Sequence, residues 1–321
     1  MLKSQMTSNK NEMLMNTYDI SHIINITSSK LGKHSIYTYY NESNPMGAVG
    51  DVRLSEDDFA QTCLGANCQL NAMWSSDKGN LWVVDDHGDV FTNADVNFQK
   101  PPYKDLEFNS ASYDIDWKVS EVFSGQLNGI WGTSDSDVWV TSFKGPALHW
   151  NGTDWKQYDL PQAPNEIDGS ATDDIYIVGY HGNIHHWDGQ QWNKVILPHN
   201  IKQDDAFTDV KVVNKELVYI TGRSGCLLVG NVQSGFKNIG SPKYAWYGVG
   251  ALEGRIFLAG GELGIFELIN DQFVCLKDKG HPVGVFETPN SVNFIPAEQH
   301  PSPWYVRYAP SEERAWVKVN T

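Results

Sequence analysis

A repeated unit constrains this chain more than any other feature, and its clearest copy runs from Leu127 to Trp155. The copy holds two short apolar runs separated by a polar Asp/Ser-rich turn, a pattern typical of a hairpin. A break at Lys144-Gly145-Pro146 leads to a third run, and Asn151-Gly152 supplies a tight turn before a fourth. The pattern therefore predicts four short strands within these 29 residues.

Five copies of the unit align on an aromatic residue in the second predicted strand. The spacings between successive markers are 57, 37, 43 and 38 residues. A four-stranded sheet of this size has two faces to cover, so we expect the copies to stack on one another. The markers are Trp82, Trp139, Tyr176, Tyr219 and Phe257.

The residues of this unit resemble the repeat of bacterial β-propeller proteins. The resemblance rests on IWG, an Asp- or Ser-rich turn, DVWV, a glycine, HWNG or HWDG, and a final Trp, and it covers roughly Leu70 to Gly280. It implies a ring of four-stranded blades around a central channel that the first strand of each blade lines. It is specific for the fold and nearly silent on function, because propellers serve as enzymes, lectins and docking platforms alike.

The two ends of the chain depart from the repeat. Residues 1–16 are polar and Met-rich and predict a flexible leader, followed by a single propeller domain over 17–321. The predicted strands Ile20–Thr27 and His34–Tyr40 either form a degenerate first unit or lend one strand to the last unit. The segment Val283–Thr321 is the expected closing unit. The prediction is an all-β propeller of seven four-stranded antiparallel blades, with six as the alternative.

The net charge of −15 and the pI near 5.0 limit the partners. Nucleic acid and anionic membrane surfaces would both repel such a chain. No stretch approaches the roughly 18 apolar residues of a membrane span, and the first 20 residues lack the apolar core of a secretory signal. Together with four scattered cysteines, this predicts a reducing, cytoplasmic setting. The acidity either serves solubility alone or matches a basic protein partner.

Motifs for metal or cofactor chemistry are weak. Cys63 and Cys68 lie five residues apart without a second pair, short of the four ligands that zinc requires. Cys226 and Cys275 lie in strand-like runs and are expected to be buried thiols. We therefore expect no metal and no cofactor.

Motifs for catalysis are equally weak. The chain has no Gly-rich phosphate loop, nucleophile elbow or His-rich motif, and its arginines are scattered. His149 and His186 hold the same position in successive units, which favours a packing role. We therefore expect no catalytic residues and a protein that is not an enzyme.

Three features supply candidate partner-binding residues. A polar residue recurs at the second position of the inner strand, where it either forms a ring at one channel mouth or caps its own turn. Residues 99–120 form an acidic and aromatic insertion between units, and residues 56–58 are acidic. The candidates are Asn71, Asn128, Asn165, Asp105, Glu107, Tyr113, Asp114, Asp116, Glu56, Asp57 and Asp58.

The predicted function is that of a non-enzymatic protein-binding propeller. The specific hypothesis is an acidic immunity protein that binds and neutralises a cognate bacterial toxin domain. One alternative is a carbohydrate-binding propeller that stacks sugars on exposed tryptophans, namely Trp150, Trp155, Trp187 and Trp192. The other is a glycosidase-type enzyme with paired carboxylates at a channel mouth.

Overall fold

The repeat folds into seven antiparallel sheets, the blades of a propeller. The structure is a computed structural model that describes residues 22–28, 34–40, 46–53, 61–110, 115–160, 164–201, 205–299 and 304–320, with the backbone alone for 34–40, 51–53 and 61–62. Seven blades confirm the prediction and exclude six. The predicted leader, 1–16, lies outside the described residues.

The first three blades contain thirteen strands. Blade 1 consists of β1 (His22–Ser28), β2 (His34–Tyr40), β3 (Gly47–Arg53) and β4 (Gln61–Ala66), with β8 (Phe108–Asn109) added at its outer edge. Blade 2 consists of β5 (Leu70–Ser75), β6 (Leu81–Asp85), β7 (Asp89–Thr92) and β9 (Lys118–Glu121). Blade 3 consists of β10 (Leu127–Ser134), β11 (Asp137–Ser142), β12 (Ala147–Trp150) and β13 (Trp155–Tyr158).

The remaining four blades each contain four strands in chain order. Blade 4 consists of β14 (Pro164–Ala171), β15 (Asp174–Gly179), β16 (Ile184–Trp187) and β17 (Trp192–Lys194). Blade 5 consists of β18 (Phe207–Asn214), β19 (Leu217–Gly222), β20 (Leu227–Asn231) and β21 (Gly235–Asn238). Blade 6 consists of β22 (Gly248–Leu252), β23 (Arg255–Ala259), β24 (Ile265–Ile269) and β25 (Gln272–Lys277), and blade 7 of β26 (Pro282–Thr288), β27 (Ser291–Pro296), β28 (Trp304–Tyr308) and β29 (Trp316–Asn320).

The apolar core lies between neighbouring blades rather than at the centre of the ring. Seven buried clusters are shared between neighbouring blades, because each small sheet is apolar on both faces. Between blades 3 and 4, the fully buried Trp139 packs on Trp187 with ring centroids 5.0 Å apart. The repeated aromatic positions therefore form the core between blades.

The four main strands of blade 1, β1 to β4, all come from the N-terminal segment, which decides between the two predicted alternatives. None of these strands joins blade 7, so the ring closes by face-to-face packing between blades 7 and 1. Ile23 and Ile26 of blade 1 are buried against Ile295, Tyr305 and Val319 of blade 7. The N-terminal segment is therefore a complete unit whose sequence has diverged from the repeat.

The predicted insertion lies within blade 2, between β7 and β9, and not between units as expected. Its strand β8 pairs with β4, where Phe108 is the partner of Ala66 and Asn109 of Gly65. The insertion thus crosses from blade 2 to the edge of blade 1. Sequence spacing alone could not place it, because a long gap between markers looks the same in either position.

Because the strands of each blade are antiparallel, their turns lie alternately on two opposite faces of the ring. The turns between strands 1 and 2 and between strands 3 and 4 of each blade lie at one edge, here called the hairpin face. Neighbouring turns meet there, since Lys215 Nζ of blade 5 lies 2.7 Å from Asp173 Oδ1 of blade 4. The turns between strands 2 and 3 and the connections between blades form the opposite loop face.

Helix is nearly absent from the described part of the chain. It is limited there to a three-residue 3-10 turn, Gly261–Leu263. None of the described helical residues forms a helix of the length and apolarity needed to cross a membrane.

Candidate functional site

The central channel contains a cavity of about 650 Å³, lined chiefly by blades 4, 5, 6, 7 and 1. The inner strands supply its walls, and β14, β18 and β26 contribute ionisable side chains. These are Glu166, Asp168, Asp209, Lys211 and Glu287. The channel therefore brings four carboxyl groups and one amine together. Among the described residues, this is the part of the ring interior that we consider as a candidate reactive site.

Three of these carboxylates bind the backbone of a neighbouring blade. Asp168 Oδ2 of blade 4 accepts a hydrogen bond from the N–H of Val212 in blade 5 at 2.8 Å. Asp209 Oδ2 accepts one from Val249 in blade 6, also at 2.8 Å. Glu287 of blade 7 accepts one from the N–H of Ala251 in blade 6. These groups therefore fasten adjacent blades.

Lys211 neutralises part of this acidic cluster. Its Nζ lies 2.7 Å from Glu287 Oε2 and 3.4 Å from Asp168 Oδ2. Burial alone would lower the pKa of Lys211, but the charges of Asp168 and Glu287 outweigh burial and raise that pKa. The lysine is therefore a fixed cation that links blades 4, 5 and 7, and not a candidate proton acceptor.

Glu166 and Asp209 form the least compensated pair in the channel. Burial raises the pKa of Asp209 to about 8, and the charge of Asp168 adds to that rise. Burial and the charge of Asp209 also raise the pKa of Glu166 well above its ordinary value. A carboxyl with a raised pKa can act as a general acid. However, both oxygens of Asp209 already accept backbone N–H groups, from Val210 and Val249 at 2.8 Å.

The predicted ring of polar residues joins the blades at the mouth on the loop face. Asn71 Nδ2 donates to the carbonyl of Leu127 at 2.7 Å, and Asn128 Nδ2 donates to that of Pro164 at 2.7 Å. Asn165 Nδ2 continues the series by donating to the carbonyl of Thr208 at 3.0 Å. Each amide therefore reaches the start of the next inner strand, and not its own turn.

Two neighbouring blades repeat a hydroxyl–carboxylate–imidazole group. In blade 3, Asp137 accepts from Thr133 at 2.5 Å and lies 2.6 Å from His149 Nε2. In blade 4, Asp174 binds Ser170 and lies 2.9 Å from His186 Nε2. In a hydrolytic triad the imidazole lies between hydroxyl and carboxylate, whereas here the carboxylate is in the middle.

The carboxylates of these two groups stay ionised. Burial would raise the pKa of Asp137, but hydrogen bonds from His149 and Thr133 outweigh burial and lower that pKa. The same balance lowers the pKa of Asp174 through His186 and Ser170. These histidines therefore brace β-strands within a blade, and the arrangement cannot activate the hydroxyl as a nucleophile.

The other sequence-predicted site residues are distributed over the surface or lie outside the described residues. Asp105, Glu107 and Asp116 of the insertion are exposed, and Asp116 pairs with Lys118. The structure does not bring these three into the channel or next to the ring of asparagines. The candidates outside the described residues are Tyr113, Asp114, Glu56, Asp57 and Asp58.

The tryptophans required by the carbohydrate alternative lie between blades. Trp150 and Trp187 are buried, with 1% and 6% of their surface exposed. Trp155 and Trp192 are half-buried and pack on them with ring centroids 5.7 Å apart in both pairs. Two of the four rings are therefore not available for stacking on a sugar.

The distribution of surface charge is a feature that sequence reasoning missed. Outside the insertion (residues 99–120), the described turns of the hairpin face carry ten exposed acidic residues against three exposed basic ones. The described turns and connections of the loop face, outside the insertion, carry four of each. The acidic residues of the hairpin face are Asp77, Asp95, Asp154, Asp173, Asp188, Glu216, Glu253, Asp271, Glu312 and Glu313, and the basic ones are Lys78, Lys215 and Arg314.

Comparison with known proteins identifies the fold and no family. No protein family model matches the chain, and no curated protein matches it. A streptogramin B lyase is similar in structure, with a TM-score of 0.66 and 15% identity over 87% of this chain and 91% of the lyase. The WD40 propeller domain of Doa1 is also similar, with a TM-score of 0.64 and 10% identity over 95% of this chain and 94% of that domain.

A third structure is a catalytically inactive variant of virginiamycin B lyase from Staphylococcus aureus with quinupristin. It matches with a TM-score of 0.62 and 11% identity over 87% of this chain and 92% of the lyase. Enzymes and a WD40 domain thus match about equally well. At such identities the likeness establishes the propeller fold alone.

Proposed function

We propose that this protein is a non-enzymatic binding propeller that docks a basic protein on its hairpin face. The observation that carries the proposal is the excess of ten exposed acidic over three exposed basic residues on the described turns of that face outside the insertion, against a balanced loop face. A one-sided field of this kind steers an oppositely charged partner and favours one docking orientation. The described hairpin-face turns outside the insertion thus carry ten negative and three positive charges, a net of −7 out of the chain's −15.

A non-enzymatic role is supported by how three of the four channel carboxylates are used. Asp168, Asp209 and Glu287 each accept a backbone N–H from a neighbouring blade. A general acid or nucleophile must reach the substrate with a free oxygen. Carboxylates held in this way stabilise the contacts between blades. We therefore expect their removal to lower the stability of the ring.

The specific partner that we propose is a basic bacterial toxin domain, which would make this protein a cytoplasmic immunity protein. The repeat resembles that of bacterial propeller proteins, and an acidic face suits a toxin that is itself basic because it acts on nucleic acid. Electrostatic steering would give fast association that slows as salt rises. Rapid capture is what neutralisation of a toxin requires.

The test is co-expression with any toxin-like protein that is encoded beside this chain, using matched charge reversals. The hairpin-face variant carries Asp154→Lys, Glu216→Lys and Glu253→Lys. The loop-face control carries Glu262→Lys, Asp278→Lys and Glu298→Lys, so both change the net charge equally. We expect the wild type and the control to restore growth, and the hairpin-face variant to fail although it folds.

Binding kinetics separate the docking face from the identity of the partner. For the purified pair, we expect the hairpin-face variant to associate at least about tenfold more slowly at low salt than the control. Protection by the hairpin-face variant equal to that by the wild type would overturn the docking face. A wild-type chain that never protects would overturn the immunity role.

A further inference from the structure

A second cluster of ionisable side chains lies on the loop face of blade 2, outside the channel. Cys68 lies in the connection between β4 and β5, Asp85 ends β6, and Asp86 and His87 form the turn that follows. One possible donor atom from each of these four side chains lies within 4.8 Å of the other three. Two separate segments therefore bring a sulfur, a nitrogen and two carboxylate oxygens together.

The carboxylate of Asp85 is fixed within the cluster and directs one oxygen toward His87. Its side chain is fully buried, and its Oδ1 accepts the N–H groups of His87, Gly88 and Asp89 at 3.0, 2.8 and 2.7 Å. These bonds fix the carboxylate so that Oδ2 points to His87 Nδ1, 3.9 Å away. Both Oδ2 and Nδ1 are buried and lack a nitrogen or oxygen partner among the described residues, and the donor beside the Asp85 carboxyl is the Cys68 thiol. A thiol is a weak donor and compensates a buried carboxylate oxygen poorly, whereas a cation would compensate it fully.

Surrounding contacts hold the other members in place. Asp86 Oδ1 accepts the N–H of Gln69 at 2.9 Å, and the N–H of Asp86 donates to the carbonyl of Gln69 at 3.0 Å. The ring of Tyr103, from the insertion, stacks on His87 with centroids 4.7 Å apart. Contacts of this kind orient metal ligands in known sites. The insertion thus reaches the cluster and covers one side of it.

We propose that Cys68, Asp85, Asp86 and His87 bind a zinc ion. Zinc accepts sulfur, nitrogen and oxygen ligands in tetrahedral geometry, with neighbouring ligand atoms about 3.3–3.8 Å apart. The four donors need to approach by about 1 Å to reach that geometry. Magnesium and calcium are excluded by their preference for oxygen-only ligands, whereas thiolate and imidazole favour zinc.

The site is a structural one, because four protein ligands fill the coordination shell. It fastens the connection before blade 2 to the turn after β6, beside the insertion. Cys63 is not a ligand, since its Sγ donates to the carbonyl of Val49 at 3.2 Å. The zinc partners of Cys68 therefore come from the end of β6 and the turn after it, and not from the nearby cysteine.

The test uses the full-length chain without an affinity tag, stripped of metal by a chelator. Zinc affinity is measured by competition with a chromophoric chelator, and cobalt(II) serves as a spectroscopic probe of thiolate ligation. We expect one equivalent per chain in the wild type and in Cys226→Ser, which removes a buried thiol in blade 5. Cys68→Ser and His87→Gln should weaken zinc binding by at least about a hundredfold.

The cobalt(II) spectrum identifies the sulfur ligand independently of affinity. The wild type should show a thiolate-to-cobalt charge-transfer band that Cys68→Ser lacks and Cys226→Ser retains. Wild-type binding no tighter than that of Cys68→Ser, or a cobalt complex without the band, would overturn the proposal. Because His87 is half-exposed on a turn, His87→Gln provides the affinity test if Cys68→Ser does not fold. Neither result depends on partner binding at the hairpin face.

Discussion

The side-chain amide of Gln299 pairs with both backbone groups of Ile23, 276 residues away in sequence. Its Oε1 accepts the Ile23 N–H at 2.7 Å, and its Nε2 donates to the Ile23 carbonyl at 2.9 Å. Gln299 lies in blade 7, in the connection between β27 and β28, whereas Ile23 lies in the first strand of blade 1. A single side chain thus supplies, at the closure of the ring, hydrogen bonds like those that a shared strand would make.

Gln299→Ala should destabilise the closed ring. The substitution leaves the N–H and C=O of Ile23 without these partners, and Ile23 is 1% exposed. We expect a loss of about 2–4 kcal/mol in the free energy of unfolding, measured by urea denaturation. Gln190→Ala, at an exposed hairpin-face turn, is the control and should change it by less than about 0.5 kcal/mol. Equal stability of the two variants would contradict the role of Gln299 in closure.

Asn128→Ala should lower stability because it removes a bond between blades. Asn128 Nδ2 donates to the Pro164 carbonyl at 2.7 Å, and the group is partly buried. The expected loss in the free energy of unfolding is about 1–2 kcal/mol by urea denaturation. Asn200→Ala, at an exposed position, is the matched control. Wild-type stability in Asn128→Ala would show that the asparagine ring does not hold the blades.

Asp209 should make stability depend on pH. Its folded pKa of about 8 lies above the unfolded value of about 3.9, so the folded state keeps a proton that the unfolded state releases. The stabilisation is complete below about pH 4 and is lost as pH rises to about 8.

Asp209→Asn removes this titration. We expect its free energy of unfolding to fall less than that of the wild type between pH 5 and pH 8, measured by urea denaturation at both values. Asp154→Asn, on an exposed turn, should keep the wild-type dependence. An unchanged dependence in Asp209→Asn would show that its carboxyl is ionised throughout this interval.

Sequence reasoning identified the blades well, but it predicted poorly which strands of a blade are exposed. The markers Trp82, Trp139 and Phe257 are fully buried between blades, as the spacing predicted. Cys275 was expected to be buried but is exposed, because β25 is the outer strand of blade 6. Hydrophobic pattern alone does not distinguish an inner strand from an outer one when both are short.

The candidate site could be predicted only in part. The recurrence of Asn128 and its equivalents was visible, but the direction of their hydrogen bonds to the next blade was not. The cluster around Cys68 was missed because its partners, Asp85–His87, lie beyond the next strand. The signal that could have found it is the Asp-Asp-His turn, which occurs in none of the other four aligned copies of the repeat.

By itself, the sequence determined the unit of structure, because turn chemistry, strand length and aromatic spacing act between near neighbours and recur in each copy. Only the tertiary structure decided where the copies meet. The pairing of Gln299 with Ile23, the convergence of Asp168, Lys211 and Glu287, and the acidity of one face all join residues from different blades. Such contacts depend on how the ring closes, and no local pattern encodes the distance between residues that closure brings together.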